Sequence, residues 1–232
     1  MTFAFFLAPF LFFAPHTEAP TPQLEADVRP PFELVGSVRY SDWSKTSLGD
    51  MRTELQAPGL LQTVELGERG DKPCFVKATF LRTSGSGTIT RTLDECGNRG
   101  PTSRSRVTLG NVSSSSSPTG IYSIQACITD NQRLKGLRLE RKNILFASNG
   151  LASSGQEYRK LELKRTNCSL STFGGWDNDA PACPTTSSGT PTYAMGLGLA
   201  LRRGSLYNVR LMCKEVRRTN SAPARRGRLG RN

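Results

Sequence analysis

The sequence predicts an all-β fold, and three observations lead to this prediction. The 232 residues include 22 glycines and 14 prolines, and long apolar runs are rare. Short segments of alternating apolar and polar residues recur along the chain, separated by turn-forming residues. Two pairs of these segments repeat one pattern. Such composition and spacing favour many short strands over long amphipathic helices. A chain of this length can bury one sizeable core, so we expect a single domain.

The predicted strands come from the alternation itself. Their residues place apolar side chains on one face and polar or mixed side chains on the other, as expected for strands that pack one face on a core. The segment 42–56 shows no such alternation and fits a short helix or a long loop. The predicted strands are 32–40, 60–66, 74–81, 89–93, 121–128, 134–139, 157–164, 193–201 and 206–211.

An internal repeat appears when 121–139 is compared with 193–211. In both segments a strand leads through a short polar turn into a second strand. Gly136-Leu137-Arg138-Leu139 in the first segment matches Asn208-Val209-Arg210-Leu211 in the second. The segment 74–81 is the candidate for a third copy. Because such units cannot bury their apolar faces alone, three of them are expected to close around one axis.

The segment 174–213 resembles the vitelline membrane outer layer protein family. The repeats of that family run Gly-x-Trp, Cys-Pro, an alternating strand, and then a strand reading Asn-x-Arg-Leu-x-Cys. The resemblance implies a β-prism, in which three Greek-key sheets surround a pseudo-threefold axis. Arg202-Arg203-Gly204 replaces the acidic turn of the family, and the first third of the chain has only Trp43 as a candidate remnant of the Gly-x-Trp motif. The matching positions here are Trp176, Cys183-Pro184, 193–201 and 208–213.

Six cysteines predict three disulfides in an oxidising compartment, since the number is even and a hydrophobic leader precedes them. No two form a Cys-x-x-Cys pair, which gives no support to zinc-ribbon or thioredoxin-like sites. Fifteen connectivities are possible. Sequential pairing (74–96, 127–168, 183–213) would place one disulfide in each third of the chain, and buried free thiols are the alternative. The cysteines are Cys74, Cys96, Cys127, Cys168, Cys183 and Cys213.

The two ends of the chain differ in composition from its middle. Residues 1–19 resemble a signal peptide, although no Lys or Arg precedes the apolar run 2–13, which is too short to span a bilayer. Residues 20–31 read as a proline-rich linker. We therefore expect a secreted, periplasmic or cell-surface protein whose single disulfide-stapled β domain covers 32–216. Residues 217–232 read as a disordered basic tail.

The basic tail is the largest concentration of charge. Residues 214–232 contribute +6 of the formal net charge of +12. On a secreted chain the expected partner is an acidic polysaccharide or an anionic cell envelope, and nucleic acid is unlikely as a partner. A solvated extension without a partner is the alternative. If the tail is not responsible, Arg202 and Arg203 are the first candidates on the β domain. The tail residues predicted to bind polyanions are Arg217, Arg218, Arg225, Arg226 and Arg228.

Catalysis has little support in the sequence. The single histidine, His16, lies before the domain, so Ser-His and Cys-His nucleophile systems and histidine-rich zinc sites are excluded. We expect no cofactor, no metal and no catalytic residue. Trp176, Asp177 and Asp179 form the candidate sugar site, because an aromatic face can stack on a sugar while carboxylates accept hydrogen bonds from its hydroxyls. The alternative is an Asx turn beside a core tryptophan.

The sequence thus predicts a secreted, non-enzymatic β protein that binds glycan or builds an extracellular coat. Two alternatives remain open at this stage. The first is a glycan-active enzyme that uses Asp177 or Asp179, since glycosidases need a pair of carboxylates. The second is a polyanion-binding protein that acts through the basic tail.

Overall fold

The computed structural model describes residues 32–44, 50–83, 87–108, 119–128, 133–144, 157–163, 175–176 and 180–219. These residues form strands, turns and loops, and among them no helix is long and apolar enough to cross a membrane. The predicted all-β class is confirmed. The strands are β1 (Phe32–Tyr40), β2 (Met51–Gln56), β3 (Gly59–Arg69), β4 (Lys72–Arg82), β5 (Thr88–Asp94), β6 (Ser103–Thr108), β7 (Thr119–Ile128), β8 (Leu134–Asn143), β9 (Glu157–Glu162), β10 (Gly175–Trp176), β11 (Thr192–Arg202) and β12 (Ser205–Arg218).

The strands form three four-stranded antiparallel sheets, each named here by its central hairpin. The β3–β4 sheet has the order β5-β4-β3-β6, the β7–β8 sheet β10-β7-β8-β9, and the β11–β12 sheet β1-β12-β11-β2. Each order is that of a Greek key, in which the fourth strand returns beside the first. In the β11–β12 sheet the two outer strands come from the start of the described chain and the hairpin from its end. Strands β3, β7 and β11 each contact the other two, so the sheets surround one axis as a β-prism.

The three central hairpins share one register. Each has five consecutive residue pairs between two β-bulges. The first bulge falls at Gln62, Tyr122 and Met195, and the second at Cys74, Lys135 and Tyr207. Since bulges set the twist and bend of a hairpin, their repetition gives the three sheets a common shape.

This register confirms the repeat that the sequence predicts. Arg138 and Arg210 occupy the same position in their hairpins, and Lys77 occupies it in the third copy. On the first strand of each hairpin, the residue just before the partner of this basic side chain points inward. Val64, Ile124 and Leu197 are all 0% exposed and belong to one core cluster that draws on all three sheets. Equivalent apolar positions therefore meet around the axis, which is why no single hairpin could fold alone.

Four predictions about strands and boundaries need correction. Strand β2 lies within 42–56, and only Leu55 among its residues is buried, so the alternation is too weak to detect. Strand β6 is likewise missing from the predicted strands. The segment 174–213 is divided, because β10 pairs with β7 while β11 and β12 form another sheet. Strand β12 continues to Arg218, two residues past the predicted end of the domain, because it pairs with β1 as far as Phe32.

Two of the three predicted disulfides are confirmed with the sequential pairing. Cys74 is bonded to Cys96 and Cys183 to Cys213. Cys127 is disulfide-bonded as well, and its predicted partner Cys168 lies outside the described residues. The Cys183–Cys213 disulfide links two sheets: the Cys183 backbone N–H donates to the carbonyl of Tyr122 in β7 at 2.7 Å, while Cys213 lies in β12.

Candidate functional site

The predicted sugar site is only partly within the described residues. The backbone of Trp176 lies in β10, opposite Cys127 of β7. Asp177 and Asp179 lie outside the described residues. The sugar site therefore stays a prediction, with its tryptophan placed on the outermost strand of the β7–β8 sheet.

The predicted polyanion-binding arginines divide between the domain and the tail. Arg217 and Arg218 belong to β12, where they pair with Glu33 and Phe32 of β1. The Nε of Arg217 donates to Glu215 at 2.8 Å, and this hydrogen bond, together with the carboxylate charge, raises the pKa of Arg217. Arg225, Arg226 and Arg228 lie outside the described residues. Arg217 is thus occupied by a neighbouring carboxylate, which weakens its case as a polyanion ligand.

Described residues in or next to the turns of the three central hairpins line a cleft of about 340 Å³ at one end of the prism. We call it the turn-end cleft. Each sheet contributes at least one cation to its wall, and no carboxylate is among the described residues that line it. The lining residues are Lys72, Arg133, Arg202, Arg203, Ser205 and Tyr207.

The cations of the turn-end cleft differ in how far they are already neutralised. The Nη1 of Arg133 lies 3.2 Å from Asp71, and Arg202 lies 3.9 Å from Asp50 in an exposed pair. Lys72 and Arg203 make no ion pair with any carboxylate in the described part of the chain. An exposed pair such as Arg202–Asp50 is worth little, because solvent and salt screen it. Glu95 also lies near this turn, because its Oε2 is 3.7 Å and Lys72 Nζ 3.0 Å from the position that a Cβ on Gly204 would take. With Asp50 and Asp71 it faces four cations, so the cleft and its rim keep a small net positive charge.

A buried ion pair anchors this end of the prism. Lys135 Nζ lies 2.5 Å from Glu68 Oε2, and the two side chains are 2% and 3% exposed. Lys135 Nζ also contacts Asp71 Oδ1 at 2.6 Å, while the Ser103 hydroxyl donates to Glu68 Oε1 at 3.1 Å. The Lys135–Glu68 pair therefore connects the β7–β8 and β3–β4 sheets beside the cleft. Asp71 also binds Arg133, which holds that cation of the cleft in place.

Arg203 adopts a backbone conformation that few side chains favour. Arg203 and Gly204 form the two-residue turn between β11 and β12, with φ values of 51° and 68°. A type I′ turn needs positive φ at both positions and prefers Asn-Gly or Gly-Gly. An arginine there costs on the order of 1 kcal/mol. This strained turn places the Arg203 cation in the lining of the turn-end cleft.

A second basic surface runs along the seam between the β3–β4 and β7–β8 sheets, where the edge strands β6 and β9 face each other. A groove of about 400 Å³ lies there, lined by Arg106, Val107, Thr108, Tyr158, Arg159 and Lys160. Lys160 is paired with Glu162 at 3.2 Å. Unlike the turn-end cleft, this seam groove draws on two sheets and is more open to solvent.

Only some residues of the turn-end cleft could be predicted from the sequence. Arg202 and Arg203 were identified as basic residues in an unusual turn. Lys72 and Arg133 were missed, because they carry no motif of their own. The signal that finds them is the repeat: Lys72 and Arg133 lie next to the hairpin turns of the other two copies. Within the described residues, no group of His, Cys, Asp and Glu side chains could hold a metal ion.

The fold and the cleft together define a three-sheet β-prism with a basic end. No protein-family model matches the chain, and no curated protein matches it. Solved structures with a similar backbone include the Calsepa lectin in complex with a bisected glycan (11% identity, TM-score 0.43, covering 77% of this chain and 98% of that one). Calystegia sepium agglutinin (9%, 0.42, 78% and 97%) and wild-type Malaysian banana lectin (13%, 0.39, 75% and 99%) are similar to a comparable extent.

Proposed function

We propose that this protein is a secreted, non-enzymatic β-prism protein that binds acidic polysaccharide in the turn-end cleft. The observation that carries the proposal is the convergence of cations from all three sheets on one cleft whose described lining has no carboxylate. Arginine guanidinium groups bind carboxylate and sulfate oxygens through paired, charge-assisted hydrogen bonds. Tyr207 and Ser205, both buried, complete the described lining of the cleft.

Secretion is supported by the disulfides. Two described disulfides and a bonded Cys127 are typical of proteins that fold in an oxidising compartment. The resemblance to the vitelline membrane outer layer family, with the β-prism it implied, favours an extracellular coat as the setting. In such a coat, retention of acidic polysaccharide would be the role of the turn-end cleft.

Replacing Arg203 by asparagine tests the turn-end cleft. Arg203→Asn should bind polygalacturonate and heparin more weakly and with a shallower salt dependence, because one cation is lost. It should also raise the free energy of unfolding by up to about 1 kcal/mol, because Asn-Gly suits a type I′ turn. Affinity chromatography at several salt concentrations and urea denaturation measure the two effects.

The matched control is Arg91→Gln, which removes an exposed arginine on β5 that lines neither of the two basic surfaces. Methyl-esterified pectin, in which the carboxylates are masked, controls for the polysaccharide. Equal losses in the Arg203→Asn and Arg91→Gln variants would mean that retention reflects net charge alone. Retention unchanged in Arg203→Asn but lost in Arg106→Gln would move the site to the seam groove.

The basic tail is a second candidate for polyanion binding, because residues 220–232 contain four arginines. Deleting 220–232 leaves β12 intact, since that strand ends at Arg218. We expect the melting temperature to stay nearly unchanged and retention on heparin to fall, because a chain so poor in apolar residues cannot offset the entropy of ordering. A large fall in melting temperature would show instead that the tail packs on the domain.

The Trp176 loop is kept as a proposed sugar site. Stacking against a rigid aromatic face depends on apolar burial, so Trp176→Ala should lose sugar affinity while the fold survives. If the Trp176→Ala protein unfolds and its folded fraction still binds sugar, the tryptophan is a core residue. A turnover assay on the same preparation tests the alternative in which Asp177 or Asp179 acts in glycan cleavage.

A further inference from the structure

An aromatic cluster covers part of the outer face of the β11–β12 sheet. The guanidinium of Arg210 lies 3.9 Å from the ring centre of Tyr40 and 4.6 Å from that of Trp43. Arg52 approaches the same tryptophan ring at 5.9 Å. Tyr40 is 40% exposed, and Arg52 and Glu54 are exposed as well, so the cluster faces solvent. We call it the outer-face platform.

The platform depends on a glycine beneath it. Gly198 pairs with Arg210, and a Cβ at position 198 would lie 2.9 Å from the Cγ and Nε of that arginine. The glycine thus lets the arginine lie flat along the sheet between the two rings. Cation–π contacts of this kind hold both rings and the guanidinium in one arrangement before any ligand arrives.

Hydrogen-bonding groups flank the rings. The Tyr40 hydroxyl donates to Glu54 Oε1 at 3.0 Å, and an Arg210 nitrogen lies 4.0 Å from the same carboxylate. The hydrogen bond to Glu54 is the largest cause that raises the pKa of Tyr40, followed by burial and the carboxylate charge, while Arg210 opposes them. A raised pKa in the fold means that this contribution to stability is complete below about pH 10 and is lost as the phenol ionises at higher pH.

The pseudo-threefold repeat supplies an internal comparison. At the positions equivalent to Arg210 and Tyr40, the β7–β8 sheet carries Arg138 and Tyr158, with the guanidinium 4.4 Å from the ring centre. The β3–β4 sheet carries Lys77 and Thr90 there. On the β11–β12 sheet Trp43 contacts the same guanidinium. The Arg–Tyr stack thus recurs in two of the three copies, and Trp43 adds a second ring to the one on the β11–β12 sheet.

We propose that the outer-face platform binds neutral pyranose units of a polysaccharide. Arg210 covers one face of each ring, and the face turned away from it would stack on the C–H face of a sugar. The Glu54 carboxylate accepts hydrogen bonds from sugar hydroxyls, and Arg52 donates to them. Arg52 and Arg210 offset the charge of that carboxylate, so the aromatic rings, rather than the charge, set this site apart from the turn-end cleft in its ligand chemistry. The inference does not rest on the cleft, and the two sites would let one molecule connect two kinds of polysaccharide.

The test is calorimetric titration of the full chain with four neutral hexasaccharides: cellohexaose, maltohexaose, mannohexaose and chitohexaose. Wild-type protein should bind at least one of them. Tyr40→Ala and Trp43→Ala should each weaken that binding about tenfold or more, since one aromatic contact is lost. Glu54→Gln should weaken it as well while keeping the side-chain shape.

The matched control is Tyr158→Ala, which removes the equivalent ring from the β7–β8 sheet and should leave hexasaccharide affinity unchanged. Retention on heparin should stay the same in all these variants, so failure of the platform and failure of the cleft are separable. The proposal is overturned if no hexasaccharide binds the wild type, or if Tyr158→Ala weakens binding as much as Tyr40→Ala. Should Trp43→Ala fail to fold, unchanged binding by both Tyr40→Ala and Glu54→Gln also overturns it.

Discussion

Replacing Lys135 by methionine is expected to destabilise the protein by about 3–5 kcal/mol, because the change leaves the Glu68 carboxylate buried without its cation. Both side chains are almost fully buried, and Ser103 is the remaining described partner of that carboxylate. Asp71, the other partner of Lys135, is 65% exposed and can be solvated instead. The loss should therefore come mainly from Glu68. Urea denaturation of Lys135→Met measures it.

The double variant Lys135→Met with Glu68→Leu distinguishes the pair from the space it fills. At the positions equivalent to Glu68 the other two hairpins carry Ile128 and Leu201, both buried, so an apolar residue suits that site. Replacing both charges by apolar groups should recover most of the stability, as for other buried ion pairs. A double variant no more stable than Lys135→Met would show that the packing of Lys135, rather than its charge, is what the fold needs.

Removing the Cys183–Cys213 disulfide by alanine replacement of both residues is expected to cost on the order of 3–4 kcal/mol from chain entropy alone. The two cysteines are 30 residues apart in sequence. The disulfide also connects the segment hydrogen-bonded to β7 with strand β12, and both sulfurs belong to the central core cluster. The loss should exceed the entropic value, because the two sheets lose a covalent tie as well. Thermal and urea unfolding of the double variant measure it.

The matched control for this disulfide is Cys74–Cys96. Its residues are 22 apart, so the chain-entropy model assigns it nearly the same value, yet it joins β4 to the loop directly after β5, within one sheet. Any additional loss in the Cys183/Cys213 variant reports the tie between sheets. Equal losses for the two disulfides would show that the inter-sheet position adds nothing to the effect of loop closure.

The repeat was the strongest prediction from the sequence, and its success has a physical reason. In a hairpin whose inner face packs on a shared axis, the alternation of apolar residues is dictated locally. Arg138 and Arg210 could therefore be matched from sequence alone, and the register confirms that they are equivalent. The sequential cysteine pairing was one of fifteen possible connectivities, and two of its three disulfides are confirmed.

Two of the edge strands, β2 and β6, were not predicted. Only Leu55 is buried among the residues of β2 and only Val107 among those of β6, so neither strand shows a continuous apolar face. Their identity as strands is decided by backbone hydrogen bonds to β11 and β3. Strand β10 was placed in the wrong unit for the same reason: its pairing with β7 is a contact between segments, and its two residues carry no pattern.

By itself the sequence determined that this protein is all-β and repeated, because strand alternation is a local consequence of burial, and its six cysteines led us to expect disulfides. The tertiary structure alone decided which cations share a cleft and which rings share a face. Lys72, Arg133 and Arg203 lie far apart in the chain and meet only because three hairpin turns end at one side of the prism. Tyr40, Trp43 and Arg210 meet only because β1, the first strand of the domain, pairs with β12, the last strand. Such sites form only when the three sheets pack around one axis, and no single segment of the sequence carries a pattern that predicts them.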